Sequence, residues 1–111
     1  MKVCCRKIVE PATGRSVQSS EWVTLGKTYS VLTIAALPEG IRVRFLADDG
    51  SPVVWSGENF EVVEPMVPIG WAIRIDPLGL TCGPPALIAP GFWERFFDGD
   101  PDAVDEVAKH S

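Results

Sequence analysis

The sequence predicts a mainly β protein that ends in a short helix. Three observations carry this expectation. Proline and glycine number ten each and are spread along the whole chain, so regular elements must be short. Between them lie brief runs rich in Val, Ile, Thr, Phe and Trp, the types that suit a pleated, half-buried surface. A clear helix start is confined to the acidic C-terminal end, at Asp100-Pro101. With 111 residues and 46% hydrophobic residues, the chain suits one domain, 1–111, with a core that needs no disulfide or metal staple.

Residues 2–9 read as a first strand and the polar residues 10–21 as a loop. Trp22-Val23-Thr24-Leu25-Gly26-Lys27 is a turn leading into Thr28–Ala36, a run rich in β-branched residues. Leu37-Pro38-Glu39-Gly40 turns the chain. Ile41-Arg42-Val43-Arg44-Phe45 then alternates, with three apolar side chains on one face and two arginines on the other. Asp49-Gly50 marks a hairpin, and Pro52-Val53-Val54-Trp55 returns from it. Ser56–Asn59 suits a short turn of the 3-10 type, and Phe60–Glu64 a fifth strand. Trp71–Asp76 alternates again and adds a strand at an edge. Residues 77–91 hold too much proline for regular structure and too much Leu and Ile for water, so they should wrap across the sheet as a loop. Phe92, Trp93, Phe96 and Phe97 recur at helical spacing and would dock a short helical turn. Residues 101–109 form a last helix with Val104 and Val107 on one apolar face.

The charge is uneven. Residues 1–50 carry seven Lys/Arg against five Asp/Glu, and residues 51–111 carry three against ten. The acidic end repels a phosphate backbone and would attract a basic protein; the plainer reading is a solubilising helix face with capping acids. Cys4, Cys5 and Cys82 cannot all pair, and no C-x-x-C spacing suggests zinc, so free thiols are expected. One of Cys4 and Cys5 should face inward and the other outward from their strand. The N-terminus lacks a hydrophobic stretch of signal-peptide length, and no apolar run reaches membrane-spanning length, so a cytoplasmic protein is expected.

The order strand, long loop, strand, turn, strand, Asp-Gly hairpin, strand, short turn, strand over residues 2–64 resembles the plan of an SH3-like small barrel. The run Val23–Leu32 looks like a signature of small bacterial and phage proteins of that type. So do Asp48–Trp55 and Asn59-Phe60-Glu61-Val62. The resemblance implies a barrel core at 1–64, extended over 65–111 by an edge strand, a wrapping Pro/Gly-rich loop and an acidic C-terminal helix. Pro90–Asp100, followed by that helix, is similar to the tails of bacterial toxin-immunity proteins. Those are small cytosolic proteins that bind and block a toxic effector.

Chemistry is sparsely signalled. The lone histidine, His110, stands next to the last residue and makes a poor general base. Asp98-Gly99-Asp100-Pro101-Asp102 begins like a calcium loop, but Ala103 and Lys109 stand where such a loop needs Gly and Glu. Glu58, Glu61 and Glu64 recur every three residues and cannot share a strand face. The expectation is a non-enzyme without cofactor or metal. Its lead function is an immunity-type protein that occludes a basic toxin or effector domain, contacting it through Trp22, Trp93, Asp98, Asp100, Asp102, Asp105 and Glu106. One alternative is a nucleic-acid-binding or regulatory SH3-like module using Arg42 and Arg44; another is an accessory subunit of an enzyme complex. The chain would act as a monomer or homodimer.

Overall fold

Thr28–Leu37 (β2) is the longest strand, and the rest of the fold is arranged on its two edges. The computed structural model describes residues 1–9, 13–18 and 20–111. The other strands are β1 Lys2–Cys5, β3 Gly40–Leu46, β4 Pro52–Ser56, β5 Phe60–Glu64, β6 Ala72–Asp76 and β7 Gly79–Gly83, with a 3-10 turn at Gly57–Asn59. Helices α1 Phe92–Phe97 and α2 Pro101–His110 follow. One edge of β2 pairs with β3. The other is shared: β1 takes Thr28–Ser30 and β7 takes Ile34–Ala36, all antiparallel. The path β4-β3-β2-β1-β5 is one continuous sheet, with β7 and β6 added beside β2. The protein is therefore mainly β with short C-terminal helices. The sheet does not close: β4 and β5 end the path, and among the described residues no ladder joins them.

A register shift between Val31 and Thr33 explains how β2 serves both sides of the sheet. The extra residue breaks strict alternation, so Val31, Leu32 and Thr33 are buried in succession. Val31 joins a cluster with Val3, Cys5, Tyr29, Val43 and Phe45. Leu32 faces the opposite side and joins Leu87, Phe92, Ala103 and Val107. The helices thus pack on one face of the sheet, and β1 and β5 fold over the other.

Several expectations need correction. The first strand stops at Cys5, because the N–H groups of Arg6 and Lys7 both turn to the Asn59 carbonyl, at 2.9 and 3.2 Å. Part of the expected 10–21 loop (residues 10–12 and 19) lies outside the described residues. Cys4 and Cys5 are both buried: Cys5 enters the core, and the Cys4 thiol donates to the Gly26 carbonyl at 3.3 Å beneath the loop before β2. Residues 77–91 are not all loop. Asp76-Pro77-Leu78-Gly79 makes a turn, and Gly79–Gly83 returns as β7 between β2 and β6. The prolines flank this strand rather than interrupt it. Only 84–91 wraps, carrying Leu87 and Ile88 inward. In α2 the buried pair is Ala103 and Val107, spaced i, i+4, while Val104 is exposed.

A polar clasp fixes the loop before β2 to the β3–β4 turn. Asp48 accepts hydrogen bonds from Lys27 Nζ at 2.6 Å, Thr24 Oγ1 at 2.8 Å and Tyr29 OH at 2.9 Å. The hydrogen bond from Lys27, followed by those from Thr24 and Tyr29, holds the Asp48 carboxyl below its ordinary value of 3.8. Burial, followed by the hydrogen bond to Asp48, pushes the Tyr29 hydroxyl up to about 12. A depressed carboxyl contributes stability above its unfolded pKa and loses it as pH falls through the folded value. A raised tyrosine contributes below its unfolded pKa and loses it as pH climbs through about 12. Asp48→Asn should therefore lower stability by about 1 kcal/mol at neutral pH, a modest figure because the carboxyl is partly exposed. In urea titrations the gap to the unmodified chain should narrow below pH 3.8. A gap that stays constant down to pH ~2 would remove the ionised clasp as its cause.

Candidate binding surfaces

Strand registers give the outer part of the sheet two chemically opposite faces. Partners across an antiparallel ladder point to the same side. On one side Ile73, Cys82, Ile34, Val43 and Trp55 form a row, and Ile75, Leu80, Ala36 and Ile41 form the next. On the other side stand Arg74, Thr81, Ala35 and Arg42, with Thr33 and Arg44 one step along.

The apolar rows begin in the core and run out of it. Val43 is buried, but Ile73 is 62% and Ile75 78% exposed, because the β6–β7 hairpin projects beyond the strands that cover the core. Ile41, Leu78 and Leu80 are exposed as well. Beside Ile41 the unclosed sheet leaves a groove of about 540 Å³ whose apolar lining includes Met1, Val3, Ile34, Ile41, Val43 and Phe60. Of the edges of β6, one pairs with β7, and among the described residues the other pairs with nothing.

The polar side is a second concavity, of about 290 Å³. Its floor carries Arg42, Arg44, Arg74, Thr33 and Thr81, and its wall is the 87–94 segment with Trp93 and Glu94. The Arg44 guanidinium lies 4.0 Å from the centre of the Trp93 ring. Burial lowers the Arg44 pKa from its ordinary value, and nearby Glu94 opposes that shift. The Arg42 Nη1 donates to its neighbour's carbonyl, Ile41 O, at 3.3 Å. The Arg74 Nε is buried and, among the described residues, has no hydrogen-bond partner.

The sequence-predicted residues lie on several different elements. Arg42 and Arg44 do share one face. Arg74 joins them only because β7 pairs with β2 on one edge and β6 on the other, which no local pattern signals. Trp93 is half-buried, and its ring lies against Arg44. Trp22 is 36% exposed on the loop before β2, and its carbonyl accepts from the Asp48 N–H at 2.8 Å. Asp100 caps α2, accepting from the Asp102 N–H at 2.9 Å, and its other oxygen lies 4.0 Å from Arg95. Glu106 pairs with Lys109 at 3.1 Å and lies 3.8 Å from His110. Asp98, Asp102 and Asp105 are exposed. Trp55 and Trp71 pack against the core half-buried. Cys82 is half-buried.

Among the described residues no three His, Cys, Asp or Glu side chains gather as metal ligands, and no helix is long and apolar enough to cross a membrane. The chain matches no family model, no curated protein and no solved structure.

Proposed function

We propose that this chain is a non-catalytic protein-binding module of the immunity type, built on an SH3-like barrel, that neutralises a toxic effector by occluding it. The β4-β3-β2-β1-β5 order, with a 3-10 turn between β4 and β5, supports the barrel part of the reading. The observation that carries the binding part is the exposed apolar row Ile73, Ile75, Leu80 and Ile41, continuous with the groove at the sheet's open end. A chain with a core of its own gains nothing by holding such a row in water, and contiguous exposed apolar surface marks interaction sites. The partner's apolar side chains would fill the groove, and its main chain could add to the free edge of β6.

The acidic tail then has a smaller part than the sequence suggests. Asp100 and Glu106 work within the C-terminal helix. Asp98, Asp102 and Asp105 remain to steer a basic partner during approach. This divides binding into a salt-sensitive encounter and an apolar lock.

The test begins with affinity capture of the tagged chain and identification of a stoichiometric partner. The partner should be toxic when expressed alone and harmless with this chain. Ile73→Asp with Ile75→Asp should leave folding intact and abolish both capture and protection. Neutralising Asp98, Asp102 and Asp105 together to Asn should slow association about tenfold at low salt and change dissociation little. A partner that still binds and is still neutralised by the double isoleucine variant would sink the proposal.

A further inference from the structure

The arginine-floored concavity lies on the opposite side of the sheet from the apolar row and needs an occupant of different chemistry. Arg42, Arg44 and Arg74 all open into it, and among the described residues none of the three makes an ion pair. All three are half-buried. Half-buried cations with too little counter-charge are costly, and folded proteins ordinarily pair them. The buried Nε of Arg74, unpartnered among the described residues, adds an orphaned donor. One carboxylate, Glu94, lines the same pocket, so its formal charge is three positive against one negative.

We propose that this pocket binds a terminal phosphate group, a phosphomonoester carried on a small molecule. Three guanidinium forks present more donors than the two oxygens of a carboxylate can accept. A monoester phosphate brings three terminal oxygens and close to two negative charges, which matches both the donors and the net charge. Thr33 and Thr81 place hydroxyls on the same floor. Trp93, by stacking on Arg44, holds one fork in place before any ligand arrives. Val54 and Leu87 leave an apolar strip for a short organic body. The volume of about 290 Å³ takes a phosphate with a small substituent. An extended nucleic-acid strand offers only diester phosphates, which carry one charge and two free oxygens each and match the three forks less well.

Calorimetric titration of the whole chain at low ionic strength would use inorganic phosphate, phenyl phosphate, dimethyl phosphate and acetate. Phosphate and phenyl phosphate should bind at one site, phenyl phosphate the tighter, with dimethyl phosphate and acetate at least about tenfold weaker. Arg74→Met should weaken phenyl phosphate by about tenfold or more, and should keep or raise the melting temperature without ligand, because an unpaired cation leaves the pocket. Arg44→Gln should weaken binding likewise, with folding checked by circular dichroism. Equal responses to all four probes, or unchanged binding in both variants, overturns the site. A phosphoserine peptide or an oligonucleotide binding at least about tenfold tighter than phenyl phosphate overturns the small-molecule assignment.

Discussion

Replacing Phe45 by alanine is expected to cost about 3–5 kcal/mol, a large share of the ~5–15 kcal/mol that holds a domain of this size together. Phe45 has no solvent exposure and is the hub of an aromatic group. Its ring lies 5.0 Å from Tyr29, 5.2 Å from Phe60 and 6.4 Å from Trp55. These partners come from β2, β5 and β4, so one side chain ties together strands from both ends of an unclosed sheet. No ladder between β4 and β5 can compensate when it is lost. Urea denaturation followed by tryptophan fluorescence should show a much lower midpoint with an unchanged slope. Phe97→Ala, at an exposed aromatic on α1, should shift the midpoint little. Similar losses in the two variants would mean that aromatic contact as such, and not the hub between the strands, sets stability.

The strands that could be read from sequence are those whose two faces differ chemically. Ile41-Arg42-Val43-Arg44-Phe45 alternates because one face meets the core and the other a polar concavity, and β3 lies where the pattern places it. The Asp49-Gly50 turn could be read for a similar reason. Gly50 has φ of +85°, which disfavours a side chain, and Asp49 Oδ1 accepts from the Ser51 N–H at 2.9 Å. β7 could not be read. Its two glycines and flanking prolines look like loop because the demand they answer comes from β2, more than forty residues away. The shift at Leu32 was hidden too, since a run of apolar and β-branched residues gives no sign of which one is extra. Both cysteines of β1 are buried because the loop before β2 roofs the outer side, a long-range event that alternation cannot report.

The same division holds for the surfaces. Arg42 and Arg44 were legible as a pair because they lie two residues apart on one strand. Arg74 was not, since its membership depends on the order of strands. The acidic tail was legible as charge, but sequence could not separate Asp100, which caps α2, from Asp98, Asp102 and Asp105, which face water. Ile73 and Ile75 were legible as sharing a face of an edge strand, but their exposure was not, because alternation reports a shared face and not what covers it. A hydrophobic row reads the same whether it meets the protein's own interior or a partner.

Gly79→Ala is expected to release the β6–β7 hairpin and, with it, both proposed surfaces. A Cβ at position 79 would stand 2.0 Å from the Ala36 carbonyl oxygen, and φ is +153°. No rotamer relieves a clash made by Cβ with backbone, so the strand must move. The cheapest movement lifts β7 from β2 at the pairs Ile34↔Cys82, Ala35↔Thr81 and Ala36↔Leu80. Each backbone hydrogen bond lost costs about 1 kcal/mol, and the strained conformation adds about 1–3 kcal/mol. Gly70→Ala is the control: φ there is +97°, but nothing lies within 4 Å of the added carbon, so it carries the strain without the clash. Hydrogen exchange should show lost protection across residues 72–83 in Gly79→Ala and retained protection there in Gly70→Ala, with β3 protected in both. The Gly79 variant should also lose phenyl phosphate and the protein partner together, whereas Arg74→Met loses only the phosphate and the double isoleucine variant only the partner. If Gly79→Ala kept either ligand at full strength while the hairpin exchanged freely, the surface for that ligand would lie elsewhere on the protein.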